Sequence, residues 1–173
     1  MVGTIDEPVE VVPYDEHWPR LFHVERDRLH NARVAFVHGI EHFGSTAVPG
    51  LAAKPVIDVL VGISTWPAPP GVRQRFVGLG YEDLDEAGVS GRIYLRRRNG
   101  QAFNVALVLH LGSLWMANLA LRDYLRATPE AARAYAEQKK GLVANGNVTL
   151  LAYSAAKAPI VEELIQKSLS ATL

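Results

Sequence analysis

Hydrophobic and polar positions along the chain change period several times, and each change predicts an element. In "YDEHWPRLFHVERDRLHNAR" the positions Trp18, Leu21, Phe22, Glu25 and Leu29 recur near helical spacing, which predicts a first helix. Asp15 is a candidate cap for it, and Pro19 falls in the first turn, where a missing N–H costs little. Strands are expected from Ala35 to Phe43 and from Val56 to Ile63. "GVRQRFVGLGY" reads as a short helix ending near Gly80, and "RIYLRRR" and "AFNVALVLH", joined by "NGQ", read as a hairpin. The last third is helical. "SLWMANLALRDYLR" stops at Ala127-Thr128-Pro129, and Thr128 then caps "PEAARAYAEQKKG", with Lys139 and Lys140 at its C-terminal end before Gly141. "APIVEELIQKSL" follows, with Ile160, Val161, Leu164, Ile165 and Leu169 on one face. Strands precede helices with few βαβ alternations, so the pattern predicts an α+β fold with a small mixed sheet.

Composition narrows this picture. The 173 residues suffice for one domain with a full core. Eighteen basic residues balance eighteen acidic ones, so bulk charge gives no reason to expect duplex nucleic acid or an anionic membrane as partner. Without cysteine there is no thiolate nucleophile, disulfide framework or Cys-based metal site. The acidic N-terminus does not read as a secretory signal, and no apolar run is long enough for a membrane span. A cytoplasmic location is the expectation.

Candidate chemistry lies in "VHGIEHFGSTAVPGLAAKPVIDVLVGI". Gly44-Ser45 at a strand end is either a simple turn or an anion site whose backbone N–H groups and hydroxyl face a phosphate. Asp58 interrupts the apolar run "PVIDVLV", where an ionised carboxylate needs a partner, a metal or a shifted pKa. It either holds Mg²⁺ against phosphates or bonds to backbone, Lys54 or an arginine. His42 lies two positions before the turn and is either a hydrogen-bonded structural residue or part of the site. Lys54 is either solvated or a point charge for phosphate. Alternation along "RIYLRRR" sends Arg92, Arg96 and Arg98 to one face and Arg97 to the other, with Glu82, Asp83, Asp85 and Glu86 nearby as ion-pair partners. Asn118 and Arg122 are i, i+4 neighbours facing either a cleft or water.

Three spaced motifs carry a resemblance: "IEHFGSTAVPGLAAKPVIDVLV", "NLALRDYLRATPEAARAYAEQKK", and Tyr153 with Lys157 in "YSAAKAPIVEE". Through them nearly the whole chain resembles the GrpB family, small proteins of nucleotidyltransferase-like fold, a module also found fused to some bacterial dephospho-CoA kinases. The resemblance implies a polymerase-beta-like core, a small mixed sheet flanked by N- and C-terminal helices. It implies phosphate contacts from Gly44, Ser45 and Thr46, a first Mg²⁺-ligand position at Asp58, and a third-strand position at Asn104. Lys54, Arg96, Arg122 and Lys157 become candidate substrate-binding cations, and Asp58, His42 and Asn104 the candidate acid/base or orienting groups. Two ligand positions depart from the superfamily pattern, since Leu60 and Ala106 stand where further metal ligands would. The implied function is a nucleotidyltransferase-like transferase acting on a nucleotide or phosphorylated small molecule, with an incomplete ligand set and Mg²⁺ as the implied cofactor. The alternatives are a non-catalytic binding or accessory module, or a metal-independent enzyme of specialised metabolism.

Overall fold

The computed structural model describes residues 5–171. Helix α1 (Trp18–Asn31) leads into strand β1 (Val37–Phe43), a single 3₁₀ turn (Ser45–Ala47) and β2 (Ile57–Ile63). Helix α2 (Pro70–Gly78), the short edge strand β3 (Glu82–Asp83), β4 (Arg92–Arg97) and β5 (Phe103–Leu109) follow. Helices α3 (Ser113–Ala127), α4 (Pro129–Ala144) and α5 (Leu150–Ser170) close the chain. The sheet order is β1-β2-β5-β4-β3. Only β2 and β5 run parallel; the other neighbours are antiparallel. This is the α+β architecture expected, a mixed sheet flanked by N- and C-terminal helices.

Alternation along β2 and β5 divides the core into two layers. Ile57, Val59, Val61 and Ile63, with Phe103, Val105 and Leu107, pack against Trp18, Phe22 and Leu29 of α1 and Val72 and Phe76 of α2. Glu25 lies on the same buried face of α1. It accepts hydrogen bonds from the Tyr81 hydroxyl at 2.6 Å, Arg97 at 2.6 Å and Arg28 at 2.7 Å. Three donors offset the desolvation of one carboxylate, and Arg97 points away from Arg96 and Arg98 as strand alternation requires.

The other sheet face carries Asp58, Leu60, Asn104, Ala106 and Val108. Leu60, Ala106 and Val108 form an apolar cluster with Trp115 of α3. Trp115 comes so close to the sheet that a Cβ at Gly39 or Gly62 would lie 2.6 or 2.8 Å from its ring, so the strands carry glycine where the indole crosses them. Val48 and Leu51, after the 3₁₀ turn, join Leu125, Tyr135, Ala136 and Leu164 in a cluster uniting α3, α4 and α5. No helix among the described residues is long and apolar enough to cross a membrane.

Several element ends differ from expectation. His17, not Asp15, is the N-cap of α1; Asp15 instead accepts the His17 N–H at 2.8 Å. Thr128 takes the N-cap of α4 without a side-chain bond, its carbonyl accepting the Ala132 N–H at 3.1 Å. Helix α4 runs past Gly141 to Ala144 because tertiary packing outweighs the small propensity cost of an interior glycine. Helix α5 starts at Leu150 and carries Pro159 in its interior. Its first turns are anchored by Leu150 and Tyr153 against Val9, contacts that periodicity around Pro159 does not reveal.

Candidate functional site

Between the sheet and the layer of α3, α4 and α5 lies a cavity of about 350 Å³, within the range of small-molecule sites. Its floor is the end of β1, the start of β2 and the first half of β5. Parallel pairing sets Asp58 of β2 directly beside Asn104 of β5, and the Asn104 amide donates to Asp58 Oδ1 at 2.8 Å. The other end of that amide fixes its orientation. Asn104 Oδ1 accepts from the Tyr94 hydroxyl at 2.8 Å and from Arg98 at 2.9 Å, so its NH₂ must face Asp58. Arg98 is held in turn by a bidentate pair with Glu7, at 2.7 and 2.9 Å.

Gly44 completes the floor. Its φ of +69° disfavours any side chain, and an added Cβ would stand 2.6 Å from Asp58 Oδ2. The carboxylate therefore rests on the bare backbone of the Gly44-Ser45 turn. Ser45 lines the cavity together with Tyr135 of α4 and acts on its phenol, which sets the turn against the helical layer.

Cations supply the walls. Lys54, Arg92, Lys139 and Lys157 all line the cavity, and Asp58 acts electrostatically on each of them. Lys139, 1% exposed, donates to the Ala52 carbonyl at 2.5 Å and sits 4.7 Å from the centre of the Tyr135 ring. Lys157 sits 5.3 Å from the Tyr153 ring in the same i, i+4 arrangement on α5. Burial lowers the pKa of all three lysines despite Asp58, and brings Lys139 down to about 7. Arg92 donates to the carbonyls of Glu86 and Ala87, while its buried Nε has no partner. Burial pushes the Tyr94 and Tyr135 phenols up to about 12, so both remain hydrogen-bond donors at neutral pH. Leu121, Leu125 and Val161 give the cavity an apolar side.

The structure thus brings together Gly44, Ser45, Thr46, Lys54, Asp58, Asn104, Arg122 and Lys157 around one cavity. Arg122 is on the rim, donating to Glu41 at 2.8 Å, the His42 carbonyl at 3.0 Å and Asp123 at 2.8 Å. Two candidates lie elsewhere. His42 is 6% exposed on the opposite sheet face, stacked on Phe22 and hydrogen-bonded through Nε2 to Thr46 Oγ1 at 2.9 Å. Burial and the nearby Arg126 and Arg122 lower its pKa to about 3, so it is neutral. Strand alternation does not extend from His42 to Gly44, because the strand ends at Phe43 and the positive φ turns the chain. Arg96 shares the face of Asn104 but reaches sideways to Glu82 on edge strand β3, at 2.8 Å, and to the Ile5 carbonyl.

A magnesium ion does not fit this donor set. Asp58 offers a single carboxylate, with one oxygen engaged by Asn104 and the other against Gly44. Leu60, at the next ligand position, is 0% exposed under Trp115, and three lysines line the same cavity as Asp58. Among the described residues no three His, Asp or Glu side chains are grouped to hold a metal.

Residues 8–167 match the protein family described as GrpB protein. The chain belongs to the GrpB family. Among its relatives, the UPF0157 protein PA4798 of Pseudomonas aeruginosa is 36% identical, over 96% of this chain and 70% of that one. The glutamate-rich protein GrpB of Alkalihalophilus pseudofirmus is 30% identical, over 96% of this chain and 99% of the relative. The crystal structure of the conserved protein GrpB from Enterococcus faecalis superposes with a TM-score of 0.83, at 30% identity, over 94% of this chain and 99% of that one.

Sequence reasoning did not select Lys139, Arg92, Tyr94 or Tyr135 as site residues. A signal was present in two places. Tyr135 with Lys139 and Tyr153 with Lys157 repeat one aromatic-to-cation spacing on consecutive helices, and both pairs face the cavity.

Proposed function

We propose that this GrpB-family chain binds a phosphorylated small molecule, nucleotides included, in the cavity above Asp58, as a nucleotidyltransferase-like protein that does not use the superfamily's two-metal route. One observation carries the reading: five cationic side chains and the Gly44-Ser45 turn converge on a cavity lined by a single carboxylate. Such an excess of positive charge is costly to assemble in a partly buried site, and an anionic ligand offsets it. The phosphate end lies against Lys54, Lys139, Lys157 and the turn, and the organic end against Leu121, Leu125 and Val161. Asp58, oriented by Asn104, accepts a hydrogen bond from a ligand hydroxyl. The alternative roles of accessory module and enzyme share this binding step.

Calorimetry with ATP, CTP, GTP, UTP and ribose 5-phosphate tests it. Binding of at least one of them, weakened by Lys157→Gln, is the expected result. Absence of heat with all five, for a protein shown to be folded, would refute the phosphate-ligand reading.

A further inference from the structure

The donor set that rejects a divalent cation also indicates what replaces it. The lysines that surround Asp58 come from three separate segments: Lys54 from the loop before β2, Lys139 from α4 and Lys157 from α5. Most of their hydrogen-bonding capacity is unspent. An ammonium has three donors. Lys139 uses one on Ala52, Lys157 sits against the Tyr153 ring, and neither Lys157 nor Lys54 donates a hydrogen bond among the described residues. Arg92 adds a buried Nε without an acceptor. A buried guanidinium nitrogen without an acceptor beside a cavity marks a place where an acceptor is missing, and the Lys54 and Lys157 side chains line the same space.

We propose that Lys54, Lys139 and Lys157, with Arg92, form a cationic cage that neutralises the phosphoryl group of the ligand directly, so that the site takes its polyanion free of divalent metal. This rests on the phosphate-ligand reading above and specifies the form in which that ligand binds. Asp58 is then the resident counter-anion of the empty cage rather than a metal ligand. It holds the ammonium groups together until the phosphoryl oxygens arrive, and it competes with them for the same charges.

The two roles give Asp58 opposite consequences. A carboxylate that serves through a metal is needed for polyanion binding. A carboxylate that competes with the polyanion opposes it. Asp58→Asn keeps the shape and can still accept the Asn104 hydrogen bond, so it removes charge with little rearrangement.

The probe is inorganic pyrophosphate, titrated into the full chain in EDTA and again in excess MgCl₂, with wild type, Asp58→Asn, Lys54→Gln and Lys157→Gln. Circular dichroism verifies folding of each variant. The cage predicts binding in EDTA and weaker binding when magnesium sequesters the probe. It also predicts Asp58→Asn affinity equal to wild type or tighter, and a loss of about tenfold or more in each lysine variant. Binding that needs magnesium and is lost in Asp58→Asn overturns the cage while leaving the phosphate-ligand reading standing. Binding in EDTA that ignores both lysine substitutions also overturns it, since the anion then sits elsewhere. No binding in either condition overturns the phosphate-ligand reading, and the cage with it. The wild-type comparison with and without magnesium needs no variant, so a misfolded substitution leaves the test intact.

Discussion

Replacing Lys139 by methionine should make the protein more stable at neutral pH while impairing anion binding. Burial brings this ammonium from its ordinary 10.5 down to about 7. Each pKa unit corresponds to about 1.4 kcal/mol, so near pH 7 the native state bears a cost on the order of 4 kcal/mol for enclosing this side chain. Methionine fills similar space without that charge. Against this gain stand the hydrogen bond to Ala52 and the contact with Tyr135, together about 2 kcal/mol. The net stabilisation is about 2 kcal/mol, or roughly 4–8 °C in Tm for a domain of this size. The sign with pH is fixed by proton binding. An unfolded lysine keeps its proton up to about pH 10.5, whereas folded Lys139 releases it near 7, so wild-type stability rises with pH between the two. The advantage of Lys139→Met is therefore largest below pH 7 and fades toward pH 10. Lys54 titrates in both proteins and cancels in the difference, whereas Lys157, whose charge repels that of Lys139, is relieved of that repulsion in the variant, which adds to the gain at low pH. Urea denaturation of both proteins at pH 6.5, 8 and 9.5 measures this. A variant less stable than wild type at pH 6.5, or a gap that does not narrow with pH, would refute the reasoning.

Two further outcomes concern other parts of the fold. Gly44→Ala combines a disfavoured φ with a Cβ placed against Asp58, and should cost about 2–4 kcal/mol in urea denaturation and weaken ligand binding; a change within about 0.5 kcal/mol would mean that the turn relaxes freely. His42 is buried neutral, its pKa brought from 6.5 to about 3, so the stability it allows is intact above pH 6.5 and is lost as pH falls toward 3. His42→Gln should reduce the stability lost between pH 7 and 4.5 by about 2–3 kcal/mol, and equal acid sensitivity in variant and wild type would contradict this placement.

The strands were legible because β-branched and apolar residues alternate or run continuously between Gly- and Pro-rich turns, and Arg97 faces away from its neighbours as that alternation predicts. What local pattern cannot express is register. Asp58 and Asn104 become partners only through the parallel pairing of β2 with β5, and strand sequences do not encode which residues align across a long connection. Arg96 was misplaced for a related reason: alternation gives its face, but its long side chain follows the nearest carboxylate, on β3. Lys139 reads as a helix-terminal cation if α4 stops at Gly141. Because α4 continues to Ala144, that lysine lies a full turn inside and against the cavity. The family motifs reached Tyr153 and Lys157 where periodicity did not, since α5 begins well before its regular apolar stripe.

The cavity is a seam, with its floor in the sheet and much of its charge on α4 and α5. An anion held across it would cross-link two layers otherwise joined by apolar contacts and a few hydrogen bonds, from Arg122 to Glu41 and the His42 carbonyl and from Lys139 to the Ala52 carbonyl. Occupancy and cohesion of the helical layer are consequently coupled in both directions. The filled site would slow local opening of α4 and α5, and whatever loosens those helices would release the ligand, even at positions far from Asp58.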